Sequence, residues 1–217
     1  MQDITVWGFS SVPPFAQGLV RDLRVRWALE EAGLDYASRT VDFAERNSAA
    51  YRRKSPFGVV PAVEHDGGVS IESGAVLHAI AEQCESLMPS GKHVETLTWM
   101  FAALNTVEPP LWNLFVMDEL HRGEEWARLG RAGAVDEAKA RLAALAECLD
   151  GHDYLLDRFT VADILMVTAL RFVRHTDLVA GFPVLDAYVK RCEARSAFQA
   201  ALSRQLAEYA RNEPVAA

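Results

Sequence analysis

The stretch SPFGVVPAVEHDGGVSIESGAVLHAIAE, residues 55–82, decides how the first part of this 217-residue chain folds. Within it, AVEHDGGVSIE predicts two strands joined by a tight turn at Asp66-Gly67-Gly68, because such turn residues favour hairpins. The pattern from Ser73 to about Glu85 is helical. The stretch therefore predicts a hairpin followed by a helix, with the dipeptide Val60-Pro61 just before the first strand.

Upstream of this stretch, two more strands flank a helix. The segment ITVWG at residues 4–8 is β-branched and aromatic, which is typical of a strand, and YASRTV at residues 36–41 predicts another. Between them, residues 19–32 carry apolar side chains at helical spacing, and Gly33 supplies a stop. A strand, a crossover helix and a strand predict a parallel pair. Together with the hairpin, this gives an α+β domain with a mixed four-stranded sheet.

The rest of the chain predicts helices. ESLMPSGKH, residues 85–93, contains the Pro, Gly and Ser of a linker. Helical patterns follow at residues 94–120, 134–149, 160–174, 184–193 and 197–210. Pro109-Pro110 is expected to kink or break the first of them. We therefore expect a domain at residues 1–85, a linker at 86–94 and an all-α domain at 95–217.

Composition excludes several classes of function. The net charge of −8 disfavours generic nucleic-acid binding, which needs a basic surface. No apolar run is long enough for a membrane span, and the first residues lack the pattern of a secretion signal, so a cytoplasmic location is expected. Cys84, Cys148 and Cys192 form neither a CxxC pair nor a zinc spacing, so we expect no metal site.

Three segments in order resemble the glutathione S-transferase superfamily, in its bacterial cytosolic form. They are RVRWALEEAGLDY at 24–36, the stretch at 55–82, and FTVADILMVTAL at 159–170. The resemblance implies a thioredoxin-like domain that binds glutathione, followed by an all-α helical bundle. It also implies a homodimeric detoxification enzyme that adds the glutathione thiolate to a small hydrophobic electrophile. Two alternatives stay open: a glutathione-dependent peroxidase or disulfide reductase on the same fold, and a non-catalytic glutathione-binding protein.

The resemblance assigns glutathione contacts to the 55–82 stretch. It implies a cis bond between Val60 and Pro61, with the Val60 backbone pairing with the cysteinyl part of glutathione by strand addition. Ser73, at a helix start, is expected to bind the γ-glutamyl carboxylate, and Glu72 the ammonium group.

For the glycyl end of glutathione, this sequence departs from many relatives at residue 59. Val59 stands where many relatives carry Lys or Gln. Two alternatives remain for Arg52, Arg53 and Lys54. Either one of them holds the glycyl carboxylate instead, or all three form a solvated helix face.

The thiol-activating position is irregular. Family members use Tyr, Ser or Cys just after the first strand, where this chain has Ser10 and Ser11. The stretch that follows is longer than usual, so either a helix begins near Pro13, or residues 10–18 form a loop and the helix begins near Gly18. We expect the loop. The thiol would then be reached by Ser10 or Ser11, by the side chain of Gln17 or Arg21, or by a backbone amide. Alternatively, both serines only cap the helix or form a turn.

Two further sets of residues complete the interpretation. An electrophile pocket is expected to involve Phe9, Phe101, Asn105 and Trp112, although an aromatic stripe at helical spacing is more often core. Thr160 and Asp163 have the spacing of a capping box, to which we assign a structural role only.

Overall fold

The computed structural model describes residues 1–212 of the chain. By its internal contacts the described chain divides into two compact units: residues 1–87 together with 195–212, and Met88–Ala194. The domains expected at 1–85 and 95–217, with a linker at 86–94, stay a prediction. The grouping of the last helix with the first unit is not anticipated by any local sequence pattern.

A mixed four-stranded sheet forms the centre of the first unit. Its strands are β1 (Thr5–Phe9), β2 (Ala37–Val41), β3 (Ala62–His65) and β4 (Gly68–Ile71), in the order β2-β1-β3-β4. The pair β1–β2 is parallel, whereas β1–β3 and β3–β4 are antiparallel. The predicted parallel pair and hairpin are therefore confirmed. Asp66 and Gly67 take φ values of 49° and 75°, as a two-residue hairpin turn requires.

Helices make up most of the remaining described chain. They are α1 (Asp22–Ala32), α2 (Ala49–Arg52), α3 (Ser73–Ala81), α4 (His93–Ala102), α5 (Glu108–Phe115), α6 (Glu125–Leu149), α7 (Val161–Leu170), α8 (Pro183–Glu193) and α9 (Ser196–Asn212). Among the helices of residues 1–212, none is long and apolar enough to cross a membrane.

Helix α1 is the most enclosed element of the first unit. It packs against β1, α3 and α9, and it is buried from Asp22 to Leu29, including the charged side chains of Arg24 and Arg26. The predicted stop at Gly33 is confirmed, since Gly33 takes the left-handed conformation at the helix end. The predicted start was too early, because Gly18 has φ 74° and the helix begins only at Asp22. The alternative helix from Pro13 was wrong.

The second unit, Met88–Ala194, is all helical. Pro109-Pro110 was expected to kink or break the helix; it does not break it, because the helical path continues through π-helical turns at Ala103–Val107 and Val116–Leu120, and the kink stays a prediction. The two prolines lie in the first turn of α5, where a missing backbone N–H is tolerated. The capping box of α7 is confirmed: the Thr160 amide donates to Asp163 Oδ2 over 2.8 Å, and the reciprocal bond is also present.

Candidate functional site

The predicted glutathione residues meet at one end of the sheet. Trp7 of β1 lies opposite Ala62 of β3, and Ala62 lies opposite Ile71 of β4. Because β3 runs antiparallel to both neighbours, the residues after β1, before β3 and after β4 share that end. They are Ser10, Val60-Pro61 and Glu72-Ser73.

The Val60-Pro61 peptide bond is cis, as the resemblance implies. The chain before it is held by two buried residues of the preceding segment. The Ser55 hydroxyl accepts the Val59 amide over 3.1 Å, and the Tyr51 hydroxyl donates to the Val59 carbonyl over 3.1 Å. Burial raises the pKa of Tyr51 to about 12, so its phenol keeps the proton that it donates.

Gly58 lets this segment turn. Its φ is 63°, and a Cβ there would lie 2.9 Å from the carbonyl oxygen of Arg46, closer than real Cβ atoms approach. Any other residue would therefore displace the chain that leads into Val59 and Val60.

Val60 combines a buried side chain with backbone groups that face no partner within the described residues. Its side chain packs in an apolar cluster with Val41, Tyr51 and Ala62. Among the hydrogen bonds of residues 1–212, none involves the Val60 amide or carbonyl. Buried backbone groups nearly always have a partner, so this pair of groups is free for an external one. Val59, in contrast, is 39% exposed, and its amide and carbonyl are occupied by Ser55 and Tyr51.

The N-terminus of α3 lies beside this loop. Glu72 precedes the helix with φ 64°, a left-handed conformation that non-glycine residues rarely adopt, and its side chain is exposed. Such outliers concentrate at functional sites. Ser73, the first residue of α3, is 6% exposed, and its hydroxyl oxygen lies 3.3 Å from Nη1 of the buried Arg24. The helix start therefore combines free amides, a hydroxyl and a buried positive charge.

The chain from Ser10 to Arg21, here called the 10–21 loop, carries the remaining candidates. Ser10 and Ser11 are half-buried directly after β1, and the Ser10 amide donates to the Val41 carbonyl over 3.0 Å. A 3-10 turn at Pro14–Ala16 follows. Gln17 ends this turn and Arg21 precedes α1; both are half-buried. The preferred loop geometry is thus confirmed, while the roles of the four side chains stay predictions.

Of the three cations upstream of Val59, two make contacts within the protein. Lys54 pairs with Glu64, whose carboxylate also accepts the indole N–H of Trp7 over 3.1 Å. Arg52 donates to Asn47 Oδ1 over 2.8 Å. Arg53 is exposed and stays a prediction for the glycyl carboxylate.

The predicted electrophile-pocket residues fall in both units. In the first unit, Phe9 stacks on Phe43 with ring centroids 4.4 Å apart. In the second unit, Phe101 is 59% exposed on α4, and Asn105 is exposed in the π-helical turn. Trp112 contacts the rings of Phe115 and Phe172 at 5.4 and 5.0 Å, as expected for the alternative interpretation as core. Their participation in a pocket stays a prediction.

Comparison with known families agrees with this arrangement. The family model described as glutathione S-transferase, N-terminal domain, matches residues 16–82, and the model for the C-terminal domain matches residues 131–196. The two matches together span more than half of the chain. The chain belongs to the glutathione S-transferase superfamily. The match to 16–82 contains Val60, Pro61, Glu72 and Ser73.

Relatives of this glutathione S-transferase family cover most of the chain. A glutathione S-transferase of Antechinus stuartii is 25% identical over 174 residues, which are 77% of this chain and 76% of that protein. Glutathione S-transferase F9 of Arabidopsis thaliana is 29% identical over 170 residues, 74% and 77% of the two chains. The theta class enzyme of Xanthomonas axonopodis pv. citri, solved with glutathione bound, is 27% identical and has a TM-score of 0.76 over 93% of this chain and 98% of its own.

Arg24, Tyr51 and Ser55 support the site but were not predicted. All three are buried, and each contacts a predicted site residue or its neighbour. Arg24 lies at the start of the RVRW segment. An arginine within this apolar pattern was the one sequence feature that could have indicated a buried charge there. Tyr51 and Ser55 lie within eight residues of Val59, but nothing in their local pattern points to it.

Proposed function

We propose that this protein binds glutathione at the end of the sheet that carries Val60, Glu72 and Ser73, stabilises its thiolate, and adds it to a small hydrophobic electrophile. The observation that carries the proposal is the unpaired Val60 backbone at the same sheet end as the α3 N-terminus. A tripeptide with a charged amino-acid head group matches both features. Homodimer formation and a role in detoxification belong to the same proposal.

The head group of glutathione fits the α3 N-terminus. A helix N-terminus attracts anions through its free amides. The Ser73 hydroxyl accepts from Arg24, so its own proton remains available for the γ-glutamyl carboxylate, and the Arg24 charge adds to the attraction. The exposed Glu72 carboxylate would receive the ammonium group. Both charges of the head group thus find a partner of opposite sign.

The cysteinyl part fits the Val60 backbone. An extended peptide that pairs with Val60 N–H and C=O forms two hydrogen bonds of the kind found in antiparallel sheets. The buried Tyr51 and Ser55 fix the backbone of Val59, so the neighbouring Val60 N–H and C=O need no rearrangement to accept the peptide. Little conformational entropy is then lost on binding.

The thiol must lose its proton near neutral pH. A thiol titrates near pH 8.5, and lowering the pKa by about two units requires about 2.7 kcal/mol. One hydrogen bond to a charged group supplies roughly 1.5–3 kcal/mol, so a single hydroxyl is nearly sufficient. Ser10 and Ser11 follow β1 at the same end of the sheet as Val60 and are the hydroxyls proposed for this task.

A rate assay tests the transfer step. Ser10→Ala and Ser11→Ala should be compared with wild type in glutathione conjugation of a chromogenic aryl halide. We expect one of them to lose about tenfold or more in rate, because one hydrogen bond to the thiolate is removed. Ser203→Ala, an exposed serine on α9, is the matched control. If neither variant loses rate, the serine role is wrong. If wild type reduces a peroxide but leaves the aryl halide unchanged, the reductase alternative replaces transfer.

A further inference from the structure

The last helix, α9, is joined to the end of the 10–21 loop by one buried amide. Gln205 is fully buried, and its Nε2 donates to Asp22 Oδ1 over 2.8 Å. The same nitrogen lies 3.4 Å from the Val20 carbonyl oxygen. Val20 belongs to the 10–21 loop and Asp22 is the first residue of α1, so one side chain holds the junction between them.

Val20 also contacts the wall of the candidate site. Its side chain packs against the apolar cluster that contains Val41, Tyr51, Val60 and Ala62. Val20 therefore lies between Gln205 on one side and the cluster of Val60 on the other. Loss of the hold on Val20 would therefore change the position of the 10–21 loop relative to this cluster, because the loop is packed against it through Val20.

Asp22 reaches the other end of the same loop. A Cβ on Gly8 would lie 2.9 Å from Asp22 Oδ2, so this carboxylate lies directly against β1, two residues before Ser10. Arg26 donates to the same oxygen over 2.7 Å. Arg26 in turn binds both carboxylate oxygens of Glu208 on α9, at 3.0 and 2.7 Å. The polar group that anchors the loop is therefore held by two side chains of α9, one directly and one through Arg26.

The hydrogen bonds of the Gln205 amide, and not its volume alone, explain why glutamine occupies this position. Among residues 1–212, its Oε1 has no hydrogen-bond partner, and neither does the Tyr209 hydroxyl one turn later on α9. A buried polar atom without a partner is destabilising. An apolar side chain of equal volume would avoid this, so packing alone does not favour glutamine here. The two contacts of Nε2 are what the amide supplies.

We propose that Gln205 is a positioning residue: through Val20 and Asp22 it fixes the 10–21 loop, and with it the hydroxyls of Ser10 and Ser11, relative to Val60. This rests on the proposed function for its consequence in catalysis, although the anchoring of the loop is independent of it. Gln205 acts only through Val20 and Asp22, the two residues that it holds.

Hydrogen exchange in Gln205→Met tests the anchoring directly. Methionine keeps the volume and removes both donors, so backbone amides of residues 10–21 should exchange about tenfold faster. Exchange in α3 should stay unchanged, whereas a merely structural defect would speed exchange in both segments. Gln199→Met, an exposed glutamine on the same helix, is the matched control. If Gln205→Met does not fold, the same exchange measurement is made on Gln205→Asn, which keeps the amide but shortens its reach.

The catalytic consequence has its own readout. In Gln205→Met the pH at which bound glutathione develops thiolate absorbance should rise, with little change in glutathione affinity. Faster exchange in the 10–21 loop together with this rise supports the proposal. Unchanged exchange overturns it. If wild type binds no glutathione, the proposed function fails, while the exchange experiment still decides whether Gln205 anchors the loop.

Discussion

Arg24 and Ser73 are 49 residues apart in the chain, yet Nη1 of the guanidinium lies 3.3 Å from the serine hydroxyl oxygen. Both side chains are nearly inaccessible, at 1% and 6% exposure. The contact joins α1 to the first residue of α3 and places a buried positive charge at a helix N-terminus. Since that end of a helix already favours anions, the pair concentrates attraction for a carboxylate at one point.

Replacing Arg24 by methionine should weaken glutathione binding about tenfold or more, because a charge-assisted contact is lost near the γ-glutamyl carboxylate. Titration calorimetry measures the affinity. Arg128→Met, at an exposed position of α6, is the matched control and should leave it unchanged. Circular dichroism confirms that each variant is folded. An Arg24→Met protein that binds glutathione as wild type does would remove Arg24 from the site.

Glu72 is expected to lower the free energy of unfolding while it increases the affinity for glutathione. Its φ of 64° is unfavourable for a residue with a Cβ, and glycine removes that strain. We therefore expect Glu72→Gly to keep or raise the free energy of unfolding while glutathione affinity falls sharply. Asp3→Gly, at φ 50° on the opposite end of β1, should affect stability similarly without affecting binding. Urea denaturation and calorimetry measure the two effects; unchanged affinity in Glu72→Gly would refute the head-group role.

Tyr51→Phe should weaken glutathione binding and change the alkaline stability of the protein. Burial, with the Asp22 carboxylate nearby, raises the pKa of Tyr51 to about 12 from an ordinary value near 10. A raised pKa means that the stabilisation by the neutral phenol is complete below about pH 10 and is lost toward pH 12. The difference in urea midpoint between wild type and Tyr51→Phe should therefore shrink across that range. A constant difference would show that the phenol is not held neutral.

Asp163→Ala should destabilise the protein without affecting the candidate site. The Asp163 carboxylate accepts hydrogen bonds from Thr160, from the Leu155 amide at 3.0 Å and from the Tyr188 hydroxyl at 2.8 Å. Losing a helix cap and leaving buried donors unpaired should cost about 3 kcal/mol or more. Thermal unfolding measures this, with the exposed Asp157→Ala as control. A loss of less than about 1 kcal/mol would contradict the capping role.

Local signals explain which parts of the fold were predictable. Gly33 ends α1, Asp66-Gly67 makes the hairpin turn, and Thr160 with Asp163 caps α7; each depends on the conformational preferences of residues close together in sequence. The start of α1 was misplaced because the left-handed conformation of Gly18 cannot be read from a hydrophobic pattern. The π-helical turn before Pro109-Pro110 was not predicted either, because a hydrophobic pattern does not distinguish a π-helical turn from an α-helix.

Supporting residues of the site were harder to predict, because their partners are distant in sequence. Burial of Arg24 is stabilising only if its partner on α3 is present, and the role of Gln205 depends on a contact 183 residues away. Residue type predicts the opposite for both, since arginine and glutamine are usually exposed. Val60 and Glu72 were predicted as glutathione contacts through resemblance to a family and not from their local sequence pattern.

Calorimetric titration of the wild-type protein with glutathione measures whether the candidate site binds this tripeptide, with cysteinylglycine as the matched ligand that lacks the γ-glutamyl head group. We expect saturable binding of glutathione with a Kd of roughly 1 mM or tighter, about −4 kcal/mol, and no saturable binding of cysteinylglycine. Equal binding of the two ligands would contradict recognition by Glu72 and Ser73. No binding of glutathione at millimolar concentration would contradict the proposed function itself.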